Sequence, residues 1–341
     1  MDILTQLNDQ KRKVDFNSYD ISVKELISMV AEGIINIAPD YQRQFRWKAD
    51  RQSTLIESVF LGIPVPSLYM AANGDGSWEL IDGVQRLSSI ISFAGTESSR
   101  SLTGLKENLK LHELEKLTTF NDKRFSDFPK TIQLDFLLKP LKITTLSDKS
   151  DLMVRFDLFE RLNTGGVALS NQEIRSCVYR GKFNDFLKIL SLNKDFKSVV
   201  KLTNAQESDG TREEFVLRFF AFLYNYKTFD HSVVDFLNNF MASASKGFDF
   251  DYAEKIFEIT FKQLRALPSG ITHNRTTTPT NLFEGIAVGA ALAITEQKEI
   301  NTKDINWLGD LEFRKSTTGA TNSRKKVIHR IEFSKEMFLK K

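Results

Sequence analysis

Four residues within the stretch WELIDGVQRLSSIISF, Trp78 to Phe93, have side chains or backbones suited to chemistry: Asp82, Gly83, Gln85 and Arg86. An apolar run delivers the Asp82 carboxylate at its end. Gly83 permits a tight turn and close backbone approach. Val84 to Phe93 then reads as a helix, whose first N–H groups are free and whose dipole favours an anion. Arg86 falls in that first turn, where a cation is unfavourable unless an anion compensates it. A phosphate is one such anion, and Asp82 would then hold a metal ion or a water at the same place. The other reading makes Asp82 a helix cap and pairs Arg86 with a carboxylate. Spacing alone leaves both open.

Three further stretches carry comparable groups. APDYQRQFRWKAD interleaves Tyr41, Phe45 and Trp47 with Arg43 and Arg46. That mixture suits phosphates and stacked bases. It equally suits an amphipathic loop anchored to a core by its rings. In FERLNTGGVALSNQEIR, Asn163 and Thr164 offer polar groups beside two glycines with open backbone N–H. This is either a ligand cradle or a helix end followed by a capped helix. FRKSTTGATNSRKKVIHRIEF concentrates Arg314, Lys315, Arg324, Lys325, Lys326, His329 and Arg330. Such a cluster contacts nucleic-acid phosphates or forms a solvated helix face.

These groups must be positioned by regular elements. SVKELISMVAEG opens with Ser22 and has Glu25 three residues on, a capping-box pattern, with Val23, Leu26, Ile27 and Val30 on one helical face. DRQSTLIESVFLG predicts a helix from an Asp50 cap to Gly62. IPVPSLYMAA and SWELI flank NGDG, a hairpin signal. LKPLKITTL predicts a strand. SDKSDLMVRFDLFERLN predicts a helix capped by Ser147. From Ser170 onward strand signals nearly vanish. SNQEIRSCVYRG, with Ser170 and Glu173 in a second capping box, starts a series of helical patterns. The expected fold class is therefore α+β: a mixed α/β half followed by an all-helical half, with domains at 1–165 and 166–341.

Composition narrows the function classes. The formal net charge is only +3, so any basic surface must come from local clustering. The single cysteine, Cys177, excludes an intrachain disulfide and a cysteine-based zinc site, and fits a reducing compartment. The N-terminus is polar, and the apolar run Gly285 to Ile294 is too short to span a bilayer, which needs about 20 residues. A cytoplasmic protein without membrane contact is expected. No G-x-x-x-x-G-K-[ST] loop occurs, so any nucleotide hydrolysis is not of the P-loop kind. The four histidines are His112, His231, His273 and His329, and DHSVVDFLNN lacks the second His an HNH nuclease site needs.

PDYQRQFRW, IPVPSLYM, LIDGVQRLSSI and FERLNTGGVALSNQEIR, in that order, resemble the GmrSD N-terminal-domain family. Its hallmark is a DGQQR motif on a ParB/sulfiredoxin-like fold. REEFVLRFFAF and STTGATNSRKKVIHRIEF resemble the family's helical extension. The resemblance maps the motif onto Asp82, Gly83, Gln85 and Arg86, with Val84 in place of the first Gln. Members of the family that cut DNA often carry an HNH nuclease domain; with no HNH pattern around the four histidines, a standalone member without that domain is expected. The function so implied is a prokaryotic defence, restriction-type or DNA-processing component that binds and hydrolyses a nucleoside triphosphate with Mg2+ and contacts DNA.

In that reading Asp82, Gln85 and Arg86 are catalytic, with Asp82 also the metal ligand. Tyr41, Arg43, Gly83, Asn163 and Thr164 bind the nucleotide. Arg46, Arg314, Lys315, Arg324, Lys325, Lys326 and Arg330 contact DNA. A nuclease partner in trans and a DNA-nicking activity of the domain itself remain open. The alternative is a non-enzymatic DNA-binding or regulatory subunit that uses the same cleft without turnover.

Overall fold

The computed structural model describes residues 2–11, 15–37, 47–105, 107–147, 152–162, 169–272, 276–319 and 322–340. The chain divides into two compact units, Met1–Ala168 and Leu169–Lys341. The first is mixed α/β and the second helical, an α+β arrangement. No helix among the described residues is long and apolar enough to cross a membrane.

The first unit is built on a five-stranded sheet. Its strands are β1 (Phe16–Ser22), β2 (Ile35–Asn36), β3 (Leu68–Ala72), β4 (Trp78–Asp82) and β5 (Pro140–Leu146), in the spatial order β1-β5-β3-β4-β2. β3 and β4 form the antiparallel hairpin that NGDG announced. Its turn is closed by the Asn73 N–H on the Ser77 carbonyl at 2.8 Å, and Gly76 takes φ +83°. β5 runs parallel to β3 and antiparallel to β1, pairing Phe16 with Leu146 through Ser22 with Pro140.

Helices α1 (Ile3–Lys11), α2 (Val23–Ala31), α3 (Ala49–Leu61), α4 (Val84–Ala94), α5 (Glu97–Leu102), α6 (Lys130–Leu138) and α7 (Leu152–Leu162) complete the unit. In α2 the Ser22 hydroxyl accepts from the Glu25 N–H, and Val23, Leu26, Ile27 and Val30 are buried as their spacing requires. α3 ends at Gly62 in the left-handed region, φ +69°. It starts two residues earlier than expected: Lys48 holds the cap position and Asp50 lies inside the first turn, where its charge suits the dipole.

Phe60 of α3, Phe93 of α4 and Phe136 of α6 pack ring against ring, with centroids 4.7–6.0 Å apart. Each well-buried ring contributes on the order of 2–3 kcal/mol. The segment between α5 and α6 is fixed by the Glu57 carboxylate, which accepts from the Lys116 and Leu117 N–H groups at 2.9 and 2.7 Å.

The second unit contains α8 (Asn171–Val178), α9 (Lys182–Ser191), α10 (Lys194–Val199), α11 (Thr211–Asn225), α12 (Val233–Ala244), α13 (Phe250–Leu264), α14 (Thr280–Phe283), α15 (Gly289–Gln297), α16 (Leu311–Thr317) and α17 (Arg324–Leu339). A π-helical stretch, Glu284–Val288, joins α14 to α15. α8 opens with the reciprocal Ser170–Glu173 capping box. Its core is rich in phenylalanine: Phe215, Phe219, Phe257, Phe261 and Phe283 are each 0–1 % exposed. α15 crosses α17 at Gly289, where a Cβ would stand 2.6 Å from the Ser334 Cβ, so only glycine permits that approach.

Candidate functional site

The strand-to-helix junction forms as the sequence requires. β4 ends at Asp82, Gly83 turns the chain at φ +107°, and α4 begins at Val84. A Cβ on Gly83 would lie 2.3 Å from the Leu68 Cδ2 and 3.2 Å from the Arg86 Nη2. Both the positive φ and these contacts demand glycine. The Arg86 guanidinium folds back across Gly83. Its Nη2 donates to the Asp82 Oδ2 at 2.7 Å and to the Ser67 carbonyl at 3.2 Å.

Asp82 itself is therefore the anion that a cation in the first turn of α4 calls for. It pairs with Arg86 and does not cap the helix; no side chain does. The two side chains remain partly open, 37 % exposed for Asp82 and 16 % for Arg86. The Arg86 Nε is buried and meets no hydrogen-bond partner among the described residues.

The neighbouring positions split by helical face. Val84 is buried, 9 % exposed. The Gln85 Oε1 accepts the Trp47 N–H at 3.0 Å. Trp47 is held from a second side by Gln52, whose Nε2 donates to the Trp47 carbonyl at 2.9 Å. The Arg51 guanidinium sits 4.4 Å above the Trp47 ring. One end of the Tyr41 to Trp47 stretch is thus brought against the junction. Tyr41, Arg43 and Arg46 lie outside the described residues, as do Asn163 and Thr164. Ser67, Gln52 and Arg51 join the site without a sequence signal of their own, because a backbone carbonyl and two polar helix side chains, one buried and one exposed, are ordinary until the fold places them.

No group of three or more His, Cys, Asp or Glu side chains that could hold a metal occurs among the described residues. Mg2+ bound with phosphates takes only one or two protein carboxylates, the remainder being phosphate and water oxygens. Asp82 meets that share: its Oδ1 has no hydrogen-bond partner among the described residues, while Oδ2 faces Arg86.

The C-terminal cluster is not one surface. Arg314, Arg324 and Lys325 are exposed, and Lys326 is half-buried. Lys315 is exposed but paired with Glu312 at 2.7 Å. Arg330 is 0 % exposed and cannot contact DNA, which corrects the expectation for that residue. It follows Val327 by three residues and precedes Ser334 by four, so it belongs to the buried face of α17. There it pairs with Glu284, also fully buried.

Glu284 in turn accepts from the Arg218 Nη1 at 2.6 Å. Arg218 donates to Glu214 at 2.7 Å, and Glu214 accepts from Arg175 at 3.0 Å. Arg175 also donates to the Asn238 Oδ1 at 2.8 Å. Burial pulls the Arg175 guanidinium below its ordinary range, against the pull of Glu214. Burial opposes the charge on Arg218 as well, but Glu214 and Glu284 outweigh it and hold its pKa above the usual value. SNQEIR, REEFVLRF and RKKVIHR, separate in sequence, meet in this one chain of charges.

Comparison with known proteins agrees with the junction's motif. Residues 23–180 match the family described as GmrSD restriction endonuclease, N-terminal domain. No curated protein matches the chain, and no solved structure does. The matched segment contains the sheet strands β2 to β5, the Asp82–Arg86 junction and the capped start of the helical unit, and it belongs to the GmrSD N-terminal-domain family.

Proposed function

We propose that this protein is a restriction-type, DNA-directed component in which the Asp82–Arg86 junction binds the phosphates of a nucleoside triphosphate. One observation carries the reading. A guanidinium is held, largely sheltered, at an uncapped helix N-terminus by a single carboxylate. An oxyanion there meets the guanidinium and the free N–H groups of α4 together.

The pairing explains how both charges stay compensated before and after binding. In the free protein Asp82 neutralises Arg86. When a triphosphate arrives, Arg86 turns to a phosphate oxygen and Asp82 is released to hold the accompanying cation. Mg2+ at that carboxylate would supply charge neutralisation of the phosphates. Exposed Arg314, Arg324 and Lys325 are suited to DNA-backbone contacts.

A second reading, binding without turnover, draws on Gln85. Its Oε1 is occupied by the Trp47 N–H, so it is not poised to orient an attacking water. Val84 bears less on the choice, since its side chain is turned to the core.

Titration with a fluorescent triphosphate analogue, and phosphate release with and without DNA, test both readings. Arg86→Ala is expected to weaken triphosphate binding about ten-fold or more, the worth of a charge-assisted contact of roughly 1.5–3 kcal/mol. Equal binding by wild type and Arg86→Ala would overturn the phosphate role. Binding without phosphate release in the presence of Mg2+ and DNA would select the non-turnover reading.

A further inference from the structure

Two hollows lie side by side on the helical unit. The first, about 340 Å3, is lined by Tyr224 of α11, Phe240 and Ser243 of α12, and Asp249 and Tyr252 at the start of α13. The second, about 310 Å3, is lined by Arg180, Lys182 and Lys246 with Phe183 and Phe250. They share Ala244, Gly247 and Phe248. The Phe248 ring is the wall between them: it lies edge-on to Tyr224 at 5.9 Å on one side and to Phe183 at 4.7 Å on the other.

The two linings differ in charge. Among the described residues, the first has one acid and no base, and the second has three bases and no acid. Tyr224 and Tyr252 are 41 % and 47 % exposed, so their ring faces are open to a ligand. Tyr224 is held nearly parallel to Phe240, at 14°, so its orientation is fixed. Neither tyrosine hydroxyl has a hydrogen-bond partner among the described residues. Lys182 and Lys246 are exposed and enter no ion pair among them. Lys182 also opens α9, whose N-terminus at Gly181 has no side-chain cap.

We infer that these adjoining hollows form a binding site for single-stranded DNA, with a base against Tyr224 and Tyr252 and its phosphate at Lys182 and Lys246. Exposed fixed rings next to unpaired cations are the chemistry that recognises an unpaired nucleotide. A duplex does not fit the same groups, because its bases already cover one another's faces. Asp249 caps α13 by accepting the Tyr252 N–H at 3.1 Å. Its other oxygen can accept an exocyclic amino group of a base. The site is separate from the Asp82–Arg86 junction and does not rest on triphosphate binding there.

Fluorescence anisotropy of a labelled twelve-nucleotide single strand with the full chain tests the inference, across a salt series. Tyr252→Ala should weaken binding about five-fold or more with an unchanged salt slope, and Tyr252→Trp should restore it. Replacing both Lys182 and Lys246 with Ala should reduce the log–log salt slope by about 1.4, at roughly 0.7 per single-strand phosphate contact. All three positions are exposed, and unchanged melting temperatures establish that the variants fold. The inference is overturned by wild type that does not bind the strand at low salt, or by a well-folded Tyr252→Ala that binds as wild type. It is also overturned if duplex of the same sequence binds equally well and is equally weakened by Tyr252→Ala. Arg86→Ala, run in parallel, should bind the strand as wild type does, which keeps this result distinct from failure of the triphosphate reading.

Discussion

Guanidinium–carboxylate pairing occurs in both units of this chain, and the two cases differ in what surrounds the charges. At the β4–α4 junction one arginine meets one carboxylate, four residues apart and partly open to solvent. In the helical unit Arg175, Glu214, Arg218, Glu284 and Arg330 come from four separate elements and reach full burial at Glu284 and Arg330. Water screens the first pair, so its partners separate at small cost and can be exchanged. The second cannot exchange partners, because each charge inside the core is tolerable only while its neighbour is present. The difference separates a pair suited to ligand exchange from one suited to fixing how helices meet. The π-helical stretch at Glu284 fits the second role, since its extra residue sits where the carboxylate must reach two arginines at once.

Breaking the buried chain should give the largest effect. Glu284→Ala leaves Arg330 without its carboxylate and Arg218 with only one. It is expected to cost about 3–5 kcal/mol, as removal of one member of a buried ion pair does. Urea denaturation followed by far-ultraviolet circular dichroism measures it. The double substitution Glu284→Leu with Arg330→Met should recover part of the loss, because two charges then leave the core together. A cost below about 1 kcal/mol for Glu284→Ala would erase the contrast between the two regions.

Acid should have the next largest effect. Burial pushes the Glu214 carboxyl up, but Arg218 and Arg175 pull it further down, leaving it below its ordinary value of 4.5. A folded-state pKa below the unfolded one gives stability that is fully present above the unfolded value and is lost as pH falls through the folded one. The urea midpoint should therefore hold steady above pH about 4.5 and drop below it. Glu214→Gln should be less stable at neutral pH and show a shallower acid dependence. An identical acid profile in that variant would remove Glu214 from the coupling.

Local signals in the sequence were dependable where they act over a few residues. Ser170 with Glu173, the NGDG hairpin and the Asp82-Gly83 turn are each set by contacts within a handful of positions, and each forms. β1 had no such signal. FNSYDIS is exposed along most of its length, so no alternation marks it, and it is a strand because β5 pairs with it along all its residues. α1 and α6 likewise gave no distinct pattern.

Arg330 was misread for a different reason. A count of basic residues in RKKVIHR groups them by proximity, whereas α17 sorts them by face. Val327, Arg330, Ile331 and Ser334 turn inward together, and Arg324 and Lys325 turn out. Helical phase could have found it; a lone Glu284 within NLFEGIAVGA marks the partner by the same logic. In the site, the motif carried Asp82, Gly83, Gln85 and Arg86, but their pairing was beyond it. Whether Arg86 meets an outside anion or Asp82 depends on Gly83 letting the guanidinium fold back, a three-dimensional fact.

The smallest stability effect is expected at the junction, and it sharpens the comparison most. Arg86→Lys keeps the positive charge but loses the planar guanidinium whose Nη2 donates to both the Asp82 Oδ2 and the Ser67 carbonyl. The pair joins the end of β4 to the first turn of α4 and is partly open to solvent, so the stability lost should be about 0.5–1 kcal/mol. Triphosphate binding should fall by more than that loss implies, because a lysine holds a phosphate as a point charge and does not offer two parallel donors. Thermal unfolding and triphosphate titration of the same preparation compare the two quantities directly. A loss above about 3 kcal/mol with binding unchanged would reverse the assignment. The Asp82–Arg86 pair would then be a structural clasp between strand and helix, like the Glu284–Arg330 pair, and Asp82 would not be free to exchange partners.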